Sequence, residues 1–344
     1  MDIINKYSPV IYFHPDERYF PISADFLLQN STVKDFTDNQ TIIHPTNREL
    51  YNISQKHNFK FLEGIILSFD DNIYKGEIPI TKVPIYAIKR TINNLIYITY
   101  IVMFAFNGDY NILNVKKAGS HPGDLEHITL EFDQNENLKR VYFSAHGNLD
   151  GRTVNASDIE YENGKIVAYC ALNGHGFYPK SGFAFRIGGL ANDYLAKGLK
   201  WEPKVSEIFS RTSTFFNIDT MGWTVYNGRI GGKLDKVNTE GVSGLIGKVW
   251  YGEEGQDIDE FDPSKLSTPI LFSEKTGNRL IIMKDIIFFI CVYLLSYLVL
   301  SINEKLLKNK NYSLFSIQMI TITVLLLLFY IYRKIAYYTI SKFG

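Results

Sequence analysis

The stretch GSHPGDLEHITLEF, Gly119–Phe132, followed by KRVYFSA at Lys139–Ala145, decides the fold. Each segment is rich in β-branched and aromatic residues, and side chains along an extended chain alternate between two faces. Between them Asp133-Gln134-Asn135-Glu136-Asn137 is a polar turn centred near Glu136, so the pair reads as an antiparallel hairpin. Working outward, short apolar runs recur at Pro9–Phe13, Lys60–Phe69, Val83–Arg90, Leu95–Phe106, Lys165–Leu172 and Phe183–Ile187. Strands this short, separated by turn residues, predict a mainly β fold, an antiparallel β-sandwich rather than βαβ units. Asn192–Phe209 reads as a short helix or a long loop, with Pro203 interrupting any helix. No linker is visible before about Asp262, so residues 1–270 read as one domain.

The same hairpin carries the chemistry. With a strand starting near Asp124, alternation puts Asp124 and Glu126 on one face with Ile128, Leu130 and Phe132, while His127 points the other way, toward solvent. Two carboxylates facing a core repel and are poorly solvated unless a cation joins them. His121, on the Pro-Gly turn, supplies a third donor. Antiparallel pairing about Glu136 sets His146 opposite Glu126 and adds it to the cluster. Such nitrogen and oxygen donors suit Ca²⁺, Mg²⁺ or Mn²⁺ better than a closed zinc site. The plainer reading is a wet sheet rim where the carboxylates pair with Lys116 or Lys117. His175, in Asn173-Gly-His-Gly176, serves a backbone turn or the site. The acidic run Gly252–Asp262 lacks the order of a calcium loop and reads as solvated.

Composition narrows the function further. Lys+Arg and Asp+Glu each total 36, so no basic field exists to attract nucleic acid. The two cysteines are Cys170 and Cys291, and the second lies in an apolar run, which leaves no disulfide framework. No nucleophile elbow, phosphate loop or dinucleotide fingerprint occurs.

At the other end of the chain, Ile286–Ile302 and Leu314–Tyr332 are uncharged and approach the ~20 residues that span a bilayer. They predict a two-helix transmembrane hairpin after a juxtamembrane segment (271–285), with a loop (303–313) and a basic tail (333–344). Flanking Lys275, Arg279, Lys284, Arg333, Lys334 and Lys342 outweigh Lys305, Lys308 and Lys310 in the loop. The charge bias, with no signal peptide, predicts a multi-pass membrane protein whose large domain is cytosolic. Glycosylation triplets at Asn30, Asn39, Asn52 and Asn155 point the other way.

Several blocks, Tyr7–Pro21 (YSPVIYFHPDERYFP), Gly123–Leu130 (GDLEHITL), Val141–Gly147 (VYFSAHG), Val167–Pro179 (VAYCALNGHGFYP) and Asn192-Asp193, resemble in order those of the vacuolar protein sorting-associated protein 62 family. A fainter similarity links His121-x-x-Asp124-x-Glu126 to necrosis-inducing cytolysin-like proteins. That resemblance implies a β-sandwich, a divalent cation on the matching His, Asp and Glu, and a glycolipid head group as ligand. It also implies a further upstream Asp, for which Asp109 is the nearest match. The secretion signal and disulfide of those toxins are absent.

Three functions follow as expectations. The first is a membrane-anchored, non-enzymatic domain binding a lipid or glycan head group, or a protein partner, in vacuolar or vesicular trafficking. The second is a metal-dependent hydrolase with Glu126 or His146 as general base. The third is an interaction module whose cluster is structural.

Overall fold

The structure is a computed structural model that describes residues 2–112, 116–146, 151–184, 192–235, 241–245, 248 and 297. The chain divides into two units: Met1–Tyr110, Gly119–Ser181 and Asp193–Ile270 form the first, and Asn111–Ala118, Gly182–Asn192 and Leu271–Gly344 the second.

Its centre is a six-stranded sheet in the order Arg152–Asn155, Leu138–Phe143, His121–Phe132, Leu95–Asn107, Pro84–Ile92, Lys204–Glu207. The long Leu95–Asn107 strand is buried along both faces because the sheet has a core on each side. On one face Ile98, Tyr100, Val102, Phe104, Ile128, Leu130 and Phe132 pack with Ile11, Phe13, Ile166, Ala168 and Trp201 of a second sheet. On the other, Tyr86, Ile101, Met103 and Leu125 pack with Val33, Ile65, Leu67 and Ile230 of a third sheet. Leu27, Leu50 and Ile53, from helices Ala24–Gln29 and Asn47–Lys56, complete that second core. The longer helix begins with a capping box, Thr46 and Glu49 each satisfying the other's backbone N–H.

This three-layer arrangement corrects the expected antiparallel sandwich. The fold is mainly β, but its sheets are mixed: Val10–Phe13 runs parallel to Lys165–Cys170, Pro84–Ile92 to Lys204–Glu207, and Ile65–Phe69 to Arg229–Ile230. Each parallel pair joins segments more than a hundred residues apart, which local patterning does not reveal. Part of the expected helix or loop at 192–209 is strand: Lys200–Trp201 edges the second sheet and Lys204–Glu207 the central one. Pro203 sits between them, where the chain leaves one sheet for the other and no ladder hydrogen bond is needed.

Among the described residues no helix is long and apolar enough to cross a membrane. The longest, Asn47–Lys56, has 10 residues, about 15 Å against a hydrocarbon core of about 30 Å. This overturns the expectation of a multi-pass membrane protein. The runs Ile286–Ile302 and Leu314–Tyr332, like the segments flanking them, lie outside the described residues except for Tyr297.

Candidate functional site

Asp124 and Glu126 enter the site from the middle of the central sheet, where Asp124 pairs with Phe104 and Glu126 with Val102. Both are buried, and both open the strand face that continues with Ile128, Leu130 and Phe132. A wet rim is therefore excluded. What meets Asp124 is His175. Its ring is fully buried, stacks on Phe104 at 3.8 Å and 4°, and donates from Nδ1 to Asp124 Oδ2 at 3.1 Å. On the far side Nε2 faces Glu17 Oε1 at 3.9 Å, an ion pair too long for a hydrogen bond.

Glu17 is held as firmly. Its Oε1 accepts the Arg18 and Tyr19 N–H groups at 2.8 and 2.9 Å, and Oε2 accepts the Asn173 N–H at 2.8 Å. The Asn173–Gly176 turn thus delivers His175 between two carboxylates. His175 itself has φ +55, a left-handed conformation that histidine tolerates better than branched residues. At Gly174 a Cβ would collide with the Tyr110 hydroxyl, so any larger residue there would displace that ring.

The charges follow from these contacts. Burial opposes a charged His175, but the hydrogen bond to Asp124 and the nearness of Glu17 prevail and push its pKa up to about 9. Burial likewise opposes ionisation of Asp124 and Glu17, and the His175 cation outweighs it in both, holding them below the usual carboxylate range. Glu126 goes the other way: burial, then the neighbouring Asp124 charge, push its carboxyl well above the usual range. Its Oε2 accepts the Ser144 hydroxyl at 2.8 Å. Half-buried Lys248 adds positive charge that acts on both Asp124 and Glu126.

The other expected donors part company. His121 is turned onto its own strand, Nδ1 donating to the Gly123 carbonyl at 2.8 Å, which leaves Nε2 as the lone-pair nitrogen. Burial lowers its pKa, so the ring is held toward its neutral form. His146 does not lie opposite Glu126. The hairpin turns about Asn135, pairing Leu138 with Phe132, and a one-residue shift between Leu138 and Arg140 then sets Val141 opposite Leu130 and Phe143 opposite Ile128, a register that carries Ala145 rather than His146 toward Glu126. Ser144, one residue earlier, reaches Glu126 through its hydroxyl, and His146, at φ +51, turns toward a second cluster. There His146 Nε2 donates to Asp193 Oδ2 at 2.8 Å, the Tyr178 hydroxyl donates to the same oxygen at 2.5 Å, and the Tyr110 hydroxyl lies 3.2 Å from Nε2. Asp109 enters the network through its carbonyl, which accepts the Asn173 side-chain N–H at 3.1 Å. His127 is buried rather than solvent-facing, because a core covers that side of the sheet too.

The divalent cation implied by the cytolysin resemblance is matched by these donors only in part. His121 suits a metal ligand, whereas Asp124 is engaged by His175 and a carboxyl that favours its protonated form, as Glu126 does, is a poor one. Among the described residues, the group of three donors whose atoms lie within 4.8 Å of one another is Asp35, Asp38 and His57. There the His57 ring and three N–H or O–H groups from Thr37 and Asp38 already satisfy Asp35, and Lys56 pairs with Asp38.

Residues 1–224 match the family model of vacuolar protein sorting-associated protein 62, about two thirds of the chain. The chain belongs to this family. The blocks that meet at the site, those containing Glu17, Asp124, His146 and His175, all fall within the matched region of the vacuolar protein sorting-associated protein 62 family. No curated protein matches the chain in sequence. Among solved structures, it is similar to necrosis and ethylene inducing protein 2 from the causal agent of cocoa's witches' broom disease, at 10% identity over 60% of this chain and 73% of that one, TM-score 0.30. It is also similar to NLPPya, solved in complex with glucosamine, at 9% identity over 67% and 82%, TM-score 0.34.

Glu17 and Asp193 were not singled out from the sequence as site residues. Glu17 lies in the block YFHPDERYF, where charged residues are flanked by aromatic pairs, but nothing local says that it meets a residue about 160 positions away.

Proposed function

We propose that this member of the family is a non-catalytic recognition domain acting in vesicular or vacuolar trafficking, whose buried Glu17–His175–Asp124 ion set fixes the architecture. The observation that carries this is the commitment of both candidate bases. Glu126 is buried, favours its protonated form and accepts from Ser144, so it is no proton acceptor for a bound water. His146 is tied to Asp193 and Tyr110 inside the second cluster. A hydrolase built on either residue would need a base within hydrogen-bond reach of an accessible substrate.

The full chain, assayed against ester and phosphodiester reporters with Ca²⁺ or Mg²⁺ present, is expected to show no turnover that Glu126→Gln or His146→Gln abolishes. Metal-dependent turnover lost in either variant would overturn the reading.

A second reading keeps the cation, because His121 offers Nε2 beside Asp124 with its other nitrogen fixed by Gly123. On that reading Ca²⁺ or Mg²⁺ raises the melting temperature by several degrees and Asp124→Asn cancels the rise. On the first, neither metal nor chelator changes it.

A further inference from the structure

A cleft of about 490 Å³ opens between the end of the Ile65–Phe69 strand and the segment Gly232–Asp235, within the usual size range of small-ligand sites. One wall is aromatic. Phe69 and Tyr74 meet edge to face at 6.3 Å, and Tyr74 is stacked on Phe106 at 4.2 Å, so packing fixes the rings before any ligand arrives. The opposite wall is pinned as backbone. Ser68 Oγ donates to the Gly232 carbonyl at 2.7 Å, Lys34 Nζ to the Leu234 carbonyl at 3.1 Å, and the Gly231 N–H to the Leu67 carbonyl at 2.7 Å. The lining carries three exposed carboxylates, Asp70, Asp71 and Asp235, against Lys233, with the Lys34 ammonium behind the Leu234 carbonyl as a second positive charge. Asp70 stands at the start of the Asp71–Ile73 turn, yet its side chain makes no capping hydrogen bond.

We propose that this cleft binds an organic ammonium group of the choline type, held between the carboxylates of Asp70, Asp71 and Asp235 and the rings of Phe69 and Tyr74. The excess of carboxylates repels an anion and attracts a cation. The aromatic wall then selects the kind of cation: an alkylated ammonium is weakly hydrated and gains from ring faces, whereas a strongly hydrated metal ion leaves that wall unused. The pinned backbone limits the ordering cost of binding. The inference rests on the recognition-domain reading and names the chemistry that such a domain recognises.

The test is calorimetric titration of the full chain with choline chloride, and sedimentation with phosphatidylcholine vesicles against phosphatidylglycerol vesicles as control. Saturable choline binding, weakened about tenfold or more in Asp70→Asn/Asp71→Asn and in Tyr74→Ala, is the expected result. The double variant changes only exposed positions, so it keeps the test sharp if Tyr74→Ala disturbs packing. Sedimentation with phosphatidylcholine that free choline competes away assigns the ammonium to a lipid head group; choline binding without sedimentation assigns it to a soluble molecule. Two results overturn the proposal: neither choline nor phosphatidylcholine binds, or Ca²⁺ displaces choline and binds Tyr74→Ala unchanged. Either of these without hydrolytic turnover leaves the recognition-domain reading standing, whereas turnover that depends on Glu126 removes that reading itself.

Discussion

His175→Gln is expected to cost on the order of 3–5 kcal/mol of folding stability, the range for removing one partner from a buried ion pair. The cost arises because Asp124 and Glu17 stay buried after their shared cation has gone. Set against a total stability of about 5–15 kcal/mol, this is the most damaging single polar change the site offers. It also carries a pH signature. A histidine whose pKa rises from 6.5 unfolded to about 9 folded binds a proton more tightly in the native state. Its contribution is fully present below about pH 6.5 and is lost as pH climbs through about 9. Urea unfolding across that window should show wild-type stability falling with pH and the variant nearly flat. A variant within about 1 kcal/mol of wild type at pH 6 would show that the ring carries no charge there.

The second large effect is a contrast between two carboxylates two residues apart. Asp124→Asn removes the charge that accepts from His175 Nδ1, and is expected to destabilise by about 3 kcal/mol at neutral pH, at the strong end for charged hydrogen bonds. Because the Asp124 pKa is lowered on folding, that contribution is present above its ordinary 3.8 and disappears as pH falls below it. Glu126→Gln is expected to change stability by less than about 1 kcal/mol, or to raise it, since Gln reproduces a neutral carboxyl and keeps an acceptor for Ser144. The sign follows from a raised pKa: above pH 4.5 the unfolded chain releases a proton that the folded Glu126 retains, a cost that Gln does not bear. Equal losses for the two variants, measured by denaturant midpoints at pH 7, would contradict the charge assignment.

The face shared by Asp124 and Glu126 was legible in the sequence, and the rest of the site was not, for definite reasons. The period-two rule placed Asp124 and Glu126 on the face of Ile128 and Leu130, because side-chain alternation survives any tertiary context. The partner of that face was not legible. The turn, where Asp133 accepts the N–H groups of Asn135 and Asn137 and Glu136 adopts φ +59, is centred on Asn135 rather than Glu136, and the one-residue irregularity between Leu138 and Arg140 makes up only half of the difference, so the register carries Ala145 rather than His146 toward Glu126. His127 was misplaced for a different reason: alternation assigns one face to solvent only in a two-layer fold, and here a third layer covers it. His175 and Glu17 meet across a sequence separation that no local pattern encodes.

The central claim is that a protein cation, the His175 imidazolium, holds the buried carboxylates. Nitrogen-15 NMR of the histidine rings tests it most directly, with His175 assigned by loss of its signals in His175→Gln. The expected result is a doubly protonated His175 ring at pH 7, titrating near pH 9 and unchanged by Ca²⁺, Mg²⁺ or chelator. A neutral His175 ring at pH 7, or signals that shift when divalent cation is added, would contradict it.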